Sequence, residues 1–304
     1  MMLIPVLYLF ICITLICLLL FFPGIAHEGT DLGVELFMEA LFPYLLPYLI
    51  LTQWFIRLTP NTSNSSSRFK LYFKTYGISA LGGFPTGAAT ITYLKKSKQI
   101  SLREANILLS ICHSPSPLFV LGFVGNDLLN DTTFSWQFLI LYHIVSLLIL
   151  SGVFFYFRRE DKGKAIAFTD TTSKQSNPFT SSVKDSIPTV LIVGATIIFF
   201  TTIYTVVMHS VKSLVPDIHN NVMLLIAAML EMTNGLRIAQ ELFADHHTLL
   251  LVLMATFLTS QGLSIHMQVA VIAKSEHLSL KPYILMRIVF VFLIPTLFYL
   301  LFLW

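Results

Sequence analysis

Long apolar segments constrain the fold of this chain more than any other feature of its sequence. Residues 34–56, 134–157, 185–207 and 282–303 are predominantly apolar, and each reaches the roughly 20 residues that a helix needs to cross a bilayer. Hydrophobic residues make up 55% of the 304 residues and charged residues only 12%, about half the charged share of a soluble domain. The mean hydropathy is +0.77. These features predict an all-α polytopic membrane protein.

The N-terminal segment, MMLIPVLYLFICITLICLLLFF, is apolar and carries no basic residue at its start. No clear A-x-A cleavage site follows it, so residues 1–22 are predicted to be a retained, additional transmembrane helix rather than a signal peptide. Cys12, Cys17 and Cys112 all lie in apolar runs, without a C-x-x-C pair. We therefore predict neither a disulfide nor a metal site from them.

The positions of Lys and Arg predict the orientation of the segments, because short cytoplasmic loops are enriched in these residues. Basic clusters flank residues 71–94 on both sides and fill residues 158–184, whereas the stretches 23–33 and 125–133 contain none. The chain is thus predicted to lie in a bacterial cell membrane with its N-terminus in the cytoplasm and its C-terminus outside. Residues 158–184 are then a cytoplasmic linker loop.

Only two of the 19 Lys and Arg residues fall outside the cytoplasmic groups in this orientation. They are Lys212, in an external stretch, and Arg237, in the second half of the chain. Arg287, near the last apolar segment, is counted with the cytoplasmic residues. The agreement supports the assigned orientation of each segment.

The stretch GGFPTGAAT, Gly82 to Thr90, interrupts the apolar segment between the first two basic clusters. Because both ends of residues 71–94 are assigned to the cytoplasm, the segment cannot cross the membrane. Each arm has roughly 10–12 residues, or about 15–18 Å of helix, which is half a bilayer. We therefore predict a re-entrant helical hairpin with GGFPTG at its tip, covered by protein or by a water-filled cavity.

The next segment, residues 101–125, leads from a basic stretch to an acidic one and must cross the membrane. In its middle stands CHSPSP, in which Pro115 and Pro117 would interrupt a helix. The segment is predicted to be two half-helices joined by an unwound stretch.

The second half of the chain repeats this order in the opposite orientation. Residues 221–246, with EMTNG at the centre, are predicted to be a second re-entrant hairpin, and residues 248–273 a transmembrane helix broken at SQGLS. Gly87 and Ser116 also recur 148 positions later, as Gly235 and Ser264. We therefore predict an inverted-topology repeat of residues 33–157 and 185–304, the plan of many secondary transporters.

Polar residues at the four interruptions are the candidates for binding a solute near the membrane midplane. Broken helices present free N–H groups and partial positive charge there, and unwound carbonyls can hold a cation. The alternative is four kinks packed by small residues. The candidates are Thr86, Gly87, Thr90, Ser114, Ser116, Thr233, Asn234, Gly235, Gln261, Ser264, His266 and Gln268, with His113 beside them.

Glu231 is the sharpest single candidate, because a carboxylate within a membrane hairpin is costly and functional by default. A buried carboxylate without a partner tends to take up a proton. Glu231 is predicted to couple transport to a proton or a sodium ion, or to bind the solute directly. Pairing with the nearby Arg237 is the structural alternative.

Enzyme signatures are absent from the sequence: there is no H-E-x-x-H and no phosphate-binding loop. Ser264 and His266 in GLSIH stand too close along the chain for the separately positioned serine and histidine of a protease. We predict no enzymatic activity, no catalytic residue, no metal and no resident cofactor. The predicted partners are a small-molecule solute and the lipid bilayer, without nucleic acid. A homo-oligomer is left open.

Four motifs at these positions resemble a known family. GGFPTGA, SPSPLFVLGFVG, LEMTNG and QGLSIHMQV occur in this order, and they are similar to motifs of the sporulation integral-membrane YlbJ-type proteins in the nucleoside-recognition (Gate) domain group. The resemblance runs from about residue 34 to the end. More distantly, the chain resembles the concentrative nucleoside transporters, whose core also has two opposed hairpins and two broken helices.

The resemblance implies alternating access, by an elevator movement of the hairpin domain. Sporulation members of the family are implicated in moving dipicolinic acid, whose two carboxylates would suit helix N-termini. The resulting prediction is a secondary transporter or permease for a small polar or anionic solute, dipicolinate-like or nucleoside-like. The rival prediction is a non-transporting assembly or sporulation factor that retains the same fold.

Overall fold

The computed structural model describes residues 3–58, 68–160 and 177–304, and within these ranges the chain is helical with no strand. Three π-helical segments, Leu36–Leu41, Phe119–Leu128 and Tyr299–Leu303, lie between or after the α-helices. The α-helices are α1 (Leu3–Phe21), α2 (Pro23–Glu35), α3 (Phe42–Leu58), α4 (Arg68–Gly82), α5 (Phe84–Lys96), α6 (Leu102–Ile111), α7 (Thr133–Glu160), α8 (Pro178–Leu214), α9 (Asn220–Leu230), α10 (Met232–Phe243), α11 (His247–Ser260), α12 (Gly262–Lys274) and α13 (Lys281–Phe298).

Four helical stretches in the described part of the chain are long and apolar enough to cross a membrane. They are Thr133–Phe157, Pro178–Leu214, His247–Lys274 and Lys281–Leu303. A fifth would be the bent pair Val6–Phe21 and Pro23–Glu39, whose two arms meet at 101°. The predicted all-α, multi-pass membrane class is therefore confirmed.

The stretch 23–33 contains no Lys or Arg, so the predicted orientation places it outside the cell as a connection, but it is helical. Pro23 occupies the first turn of α2, where a missing N–H costs nothing because that group has no partner in the helix. The helix then continues through the π-helical segment Leu36–Leu41 into α3. The predicted helix 34–56 is thus the second part of a much longer one.

Two glycines explain why α2 packs closely along α8. Gly29 and Gly33 are four residues apart and share one helix face. A Cβ at Gly33 would lie 2.8 Å from the Cα of Ile198, and one at Gly29 would lie 3.0 Å from the Cα of Thr202. Only glycine leaves room for backbones this close, as in membrane helix pairs with small residues at the same spacing.

The helix α8 is longer than the predicted segment 185–207 at both ends. It begins at Pro178, where the Asn177 side chain accepts a hydrogen bond from the Phe179 N–H at 3.0 Å, and it ends at Leu214. The predicted linker, residues 158–184, is therefore shorter than expected. Its central part, residues 161–176, lies outside the described residues.

One end of the bundle collects the basic residues of several helices. Arg57 of α3 pairs with Asp185 of α8, and Arg68 of α4 lies 3.7 Å from a carboxylate oxygen of Glu104 in α6. The Ser279 N–H donates to the Asn106 side chain at 2.8 Å, which joins the start of α13 to α6. The ends that the Lys and Arg pattern assigns to one side of the membrane therefore lie together.

The two predicted hairpin segments are helix pairs that fold back on themselves, α4 with α5 and α9 with α10. A Cβ at Gly235 would lie 2.5 Å from the Cα of Ala228, although residues seven apart on a straight helix are about 10.5 Å apart. A Cβ at Gly87 would likewise lie 3.4 Å from the Cβ of Ser79. The turns between the arms are at Gly83 and Glu231.

Both predicted broken helices are interrupted at the predicted places, but by different lengths of chain. Cys112 to Ser116 separate α6 from the next helical residues, and Pro115 and Pro117 lack the N–H groups that would continue the helix. Only Gln261, with a left-handed φ of 73°, separates α11 from α12. The first interruption, residues 112–116, is called the first break below, and Gln261 the second break.

Candidate functional site

A cavity of about 50 Å³ lies where the two hairpin tips meet. This volume suits one or two water molecules. The tips of both helix pairs, the first break and the start of α12 contribute to its wall, together with apolar side chains of α8 and of the α2–α3 helix. The lining residues are Leu41, Leu45, Gly82, Gly83, Phe84, Pro85, Ser116, Phe119, Val193, Ile197, Glu231, Met232, Thr233, Ile265 and Gln268.

The first tip depends on Gly83, whose φ of 81° lies in the left-handed region that strains any side chain. A Cβ at Gly83 would lie 2.9 Å from the Cβ of Ser116, so the tip packs directly against the first break. Gly83 also gives α5 no side-chain cap, and Pro85 in the first turn has no N–H. The positive end of α5 therefore lies at the cavity wall without a side-chain cap.

The second tip is formed by Glu231, which is 2% exposed and caps α10. Its Oε2 accepts from the Asn234 N–H at 2.9 Å, and its Oε1 accepts from the Thr233 hydroxyl at 3.2 Å. Among the described residues, no ion pair joins Glu231 to Arg237 or to another basic group. The structural alternative of a Glu231–Arg237 pair is therefore absent from this structure, and the carboxylate instead caps its own helix beside the cavity.

The two breaks meet through a buried hydrogen bond between His113 and Gln261. Nε2 of His113 lies 2.6 Å from Oε1 of Gln261, and both residues are fully buried. An amide oxygen only accepts, so in this pair Nε2 carries the proton. The Tyr283 hydroxyl lies 3.2 Å from the same nitrogen and 2.8 Å from Nδ1 of His266. The candidate His266 is thus connected to the breaks through Tyr283.

Arg287 corrects one of the sequence predictions. We counted it with the cytoplasmic basic residues, but it lies inside α13 and is only 3% exposed. It donates to the backbone oxygen of Ser110 at 2.9 Å and to the Tyr142 hydroxyl at 2.7 Å. The sequence prediction misplaced Arg287 because it follows Lys281, the first residue of α13, by only six positions. It was therefore grouped with the basic residues that precede the helix. The one available signal is its place within an otherwise apolar run.

Some of the candidate residues line the cavity, and the others are buried in the surrounding helix contacts. Four of them reach the cavity wall: Ser116, Glu231, Thr233 and Gln268. Three further polar candidates form hydrogen bonds with neighbouring groups. The Asn234 amide donates to the Thr201 hydroxyl at 3.0 Å, Ser264 accepts from Gln268 at 3.4 Å, and the Thr86 hydroxyl donates to the Gly82 carbonyl at 2.9 Å.

The candidate glycines serve packing rather than the cavity wall. A Cβ at Gly87 would lie 2.0 Å from the carbonyl oxygen of Cys112, and Gly235 packs against Ala228 of the preceding arm. Thr90 and Ser114 are buried, and neither hydroxyl has a hydrogen-bond partner among the residues that the structure describes. Nε2 of Gln261 and Nε of Arg287 are likewise buried without a hydrogen-bond partner among the described residues. Buried polar groups ordinarily have partners, so the surroundings of the breaks retain unused hydrogen-bonding capacity.

The groups at the cavity wall offer both hydrogen-bond donors and acceptors. The described residues contain no group of three or more His, Cys, Asp or Glu side chains placed to hold a metal ion. The cavity combines the bare positive end of α5, a buried carboxylate, and the hydroxyl and amide groups of Ser116 and Gln268. Such a wall can accept and donate hydrogen bonds to a small polar group.

The fold and the cavity define a polytopic helical membrane protein with a small, mostly apolar cavity that a few polar side chains line. The chain is similar to the "Sporulation integral membrane protein YlbJ" of Bacillus subtilis (strain 168), with 24% identity over 307 aligned positions. The alignment covers 88% of this chain and 75% of that protein. No protein-family profile matches the chain, and no solved structure matches it. The similarity supports the predicted likeness to YlbJ-type proteins and to an integral membrane protein of sporulation.

Proposed function

We propose that the chain is a secondary transporter or permease that moves a small polar or anionic solute across the bacterial membrane by alternating access. The observation that carries the proposal is the cavity itself. Two helix pairs bring their tips to one cavity, which the buried residue Glu231 and the uncapped start of α5 both line. Polar groups at such depth are costly and usually mark a pathway for solutes or ions.

An inverted-topology repeat is part of this proposal. Each half has the order long helix, folded helix pair, broken helix and single helix. His113 and Gln261, which form a hydrogen bond across the two breaks, are separated by 148 positions, the offset that also relates Gly87 to Gly235. Equivalent residues of two repeats meet where a two-fold axis passes between them, so this contact supports the inverted arrangement.

We further propose that both helix pairs are re-entrant, the first from the cytoplasm and the second from outside. The grouping of Arg57, Arg68 and Asn106 contacts at one end of the bundle supports this orientation. Single cysteines test it in a background without native cysteines. A cysteine at Lys96 should react only with reagent inside the cell, and cysteines at Asp127, Ser210 and Asp245 with reagent outside. Labelling of Lys96 and Asp245 from the same side would contradict it.

A polar, anionic solute is favoured by the charges near the breaks. Arg287 is buried, and no ion pair of the described residues includes it. The start of α5 adds partial positive charge, and the Gln261 amide retains unused donors. Neither Arg287 nor Gln261 lines the cavity, so a solute would reach these donors in a conformation that opens it. Dipicolinate-like solutes would then use them through carboxylates, and nucleoside-like solutes through ring and hydroxyl oxygens. Glu231 is then the candidate that binds a coupling proton or sodium ion.

A non-transporting role in membrane assembly or sporulation is the second candidate, and two observations favour it. The similar Bacillus subtilis protein is named for sporulation rather than for transport. The cavity of about 50 Å³ is also far smaller than the roughly 300 Å³ or more of ordinary ligand sites. A transporter would therefore have to open this cavity in a second conformation.

Uptake into proteoliposomes separates the two candidates. Purified protein is reconstituted and tested with labelled dipicolinate, nucleosides and nucleobases, with and without proton and sodium gradients. The transporter proposal predicts saturable uptake of at least one of these solutes above empty liposomes. The absence of uptake for every one of them, by protein that remains folded, would favour the assembly role.

The variant Glu231→Gln tests the coupling role, because glutamine keeps the size of the side chain and mimics its neutral form. If Glu231 couples transport to an ion, this variant should exchange solute across the membrane but lose accumulation against a gradient. If Glu231 binds the solute directly, exchange and accumulation should fall together. Glu241→Gln is the matched control, since Glu241 is an exposed carboxylate on the same helix. Accumulation by Glu231→Gln at the wild-type level would remove both roles.

A further inference from the structure

The first break leaves backbone carbonyls without helical partners in the interior of the protein. Residues 112–116 form no helix, so the last carbonyls of α6 and those of the break cannot be satisfied within the helix. Water is scarce at the centre of a membrane protein, where each unsatisfied group is costly. A group from outside α6 must therefore supply donors.

Arg287 and Tyr142 supply these donors. NH2 of Arg287 donates to the Ser110 oxygen at 2.9 Å, and NH1 donates to the His113 oxygen at 3.4 Å and to the Tyr142 hydroxyl at 2.7 Å. The Tyr142 hydroxyl in turn donates to the His113 oxygen at 2.6 Å. One guanidinium thus reaches carbonyls on both sides of the point where α6 ends.

The position suits a cation, and arginine more than lysine. The carboxyl end of α6 carries partial negative charge, which stabilises a positive group beside it. The planar guanidinium can donate to several acceptors at fixed angles, whereas a lysine ammonium is a single point of charge. The guanidinium carbon also lies 4.7 Å from the ring centroid of Phe290, a favourable cation–π distance.

In the described part of the chain no such cation lies at the second break, and the second break does not need one. Only Gln261 is non-helical there, and its N–H still bonds to the Phe257 oxygen at 2.9 Å. At an offset of 148 positions, Arg287 corresponds to Leu139, a buried apolar residue. The charge therefore accompanies the longer break, which exposes more backbone.

We propose that Arg287 is the positioning residue of the site: from α13, it caps α6 and holds residues 112–116 in their unwound conformation. The capping role does not depend on the proposed function. Only the purpose of the break, which is to present polar groups to a solute, rests on it. The capping itself ties the second half of the chain to the first at their centre. Removing the guanidinium should loosen the first break and leave the second break in place.

Native Cys112 is a probe for this loosening, because it is fully buried at the start of the first break. In a protein with Cys12 and Cys17 replaced by serine, Cys112 is the only thiol. Its reaction with a small, charged thiol reagent in membranes measures how often the break opens. A cysteine at the half-buried position Ser260, in a protein without native cysteines, reports on the second break through the change in its own labelling rate.

Arg287→Met should speed the labelling of Cys112 by about tenfold or more, because buried carbonyls lose their charged donor. The Ser260 probe should label at the wild-type rate. Arg287→Lys should give an intermediate rate at Cys112, and Leu139→Met, at the corresponding apolar position, should change neither probe. Labelling of Cys112 that is unchanged, or an equal increase at both probes, would overturn the proposal.

Tyr142→Phe provides the same test if Arg287→Met does not accumulate in membranes. It removes one donor to the His113 oxygen but keeps the guanidinium. We expect faster labelling at Cys112, by less than for Arg287→Met, and no change at the Ser260 probe. An unchanged rate at Cys112 in both Tyr142→Phe and Arg287→Lys would overturn the proposal, and neither result depends on whether the protein transports a solute.

Discussion

The tips of the two helix pairs reach the same cavity by different chemistry. The first turns at Gly83, with a left-handed φ of 81° and no side chain to cap α5. The second turns at Glu231, with an extended backbone and a carboxylate that caps α10. A folded helix pair can therefore be built either on backbone freedom or on a capping side chain. The two tips therefore differ in local charge. The first tip leaves the partial positive charge at the start of α5 uncompensated, whereas the Glu231 carboxylate compensates that at the start of α10.

The glycine four residues after each turn also differs in its role. Gly87 lies against the carbonyl oxygen of Cys112, so it lets the first helix pair pack directly against the first break. Gly235 lies against Ala228 of its own pair. Corresponding positions of the two halves therefore hold together different parts of the molecule. Mutations can test this difference.

The largest effect is expected from Gly87→Ala, because its Cβ would lie 2.0 Å from a backbone oxygen that cannot rotate away. We expect a loss of about 3 kcal/mol or more in the free energy of unfolding, at or above the upper end for overpacked sites. Gly235→Ala, at 2.5 Å from Ala228, should be nearly as costly. Thermal unfolding of the purified protein in detergent measures both.

The control for these two variants is Gly77→Ala in α4, where a Cβ would meet nothing within 4 Å. It should keep or slightly raise the melting temperature, since alanine favours a helix over glycine. The labelling rate of Cys112 separates the two roles: Gly87→Ala should raise it, and Gly235→Ala should not. An equal increase in both variants would break the comparison between the two glycines.

A smaller effect is expected at the second tip from Glu231→Ala. The variant removes the cap of α10 and should cost about 1–2 kcal/mol, the range for lost N-caps. Glu231→Gln should cost less, because its amide oxygen can still accept from the Asn234 N–H. Melting temperatures of the two variants, with Glu241→Gln as a control, measure the difference. Equal stability of Glu231→Ala and wild type would show that the second turn, like the first, needs no cap.

The smallest effect is expected at the contact of the second tip with α8. Thr201→Val removes the acceptor of the buried Asn234 amide and should cost about 1 kcal/mol. Thr196→Val should cost less, since the Gln268 amide also reaches the Ser264 hydroxyl at 3.4 Å. Thermal unfolding again provides the measurement. A larger loss for Thr196→Val than for Thr201→Val would contradict the anchoring of the second tip through Asn234.

The positions of the interruptions could be predicted from the sequence, because they follow from local chemistry. Pro115 lacks the N–H group that would continue α6, and Gly83 permits a backbone turn that other residues resist. Proline alone was not sufficient, since Pro47, Pro188 and Pro295 lie inside helices. Helix ends were less predictable. The stretch 23–33 has the polar composition of a loop, yet it is helical because Gly29 and Gly33 fit against α8.

The sequence by itself determined the membrane class and the places where helices break, since apolar length and backbone restriction are properties of neighbouring residues. Tertiary structure decided which groups meet at those places. Arg287 lies at the end of α6, and His113 faces Gln261, although each pair is far apart along the chain. Such contacts depend on how distant helices pack, and a buried charge is placed by the partners that packing brings to it.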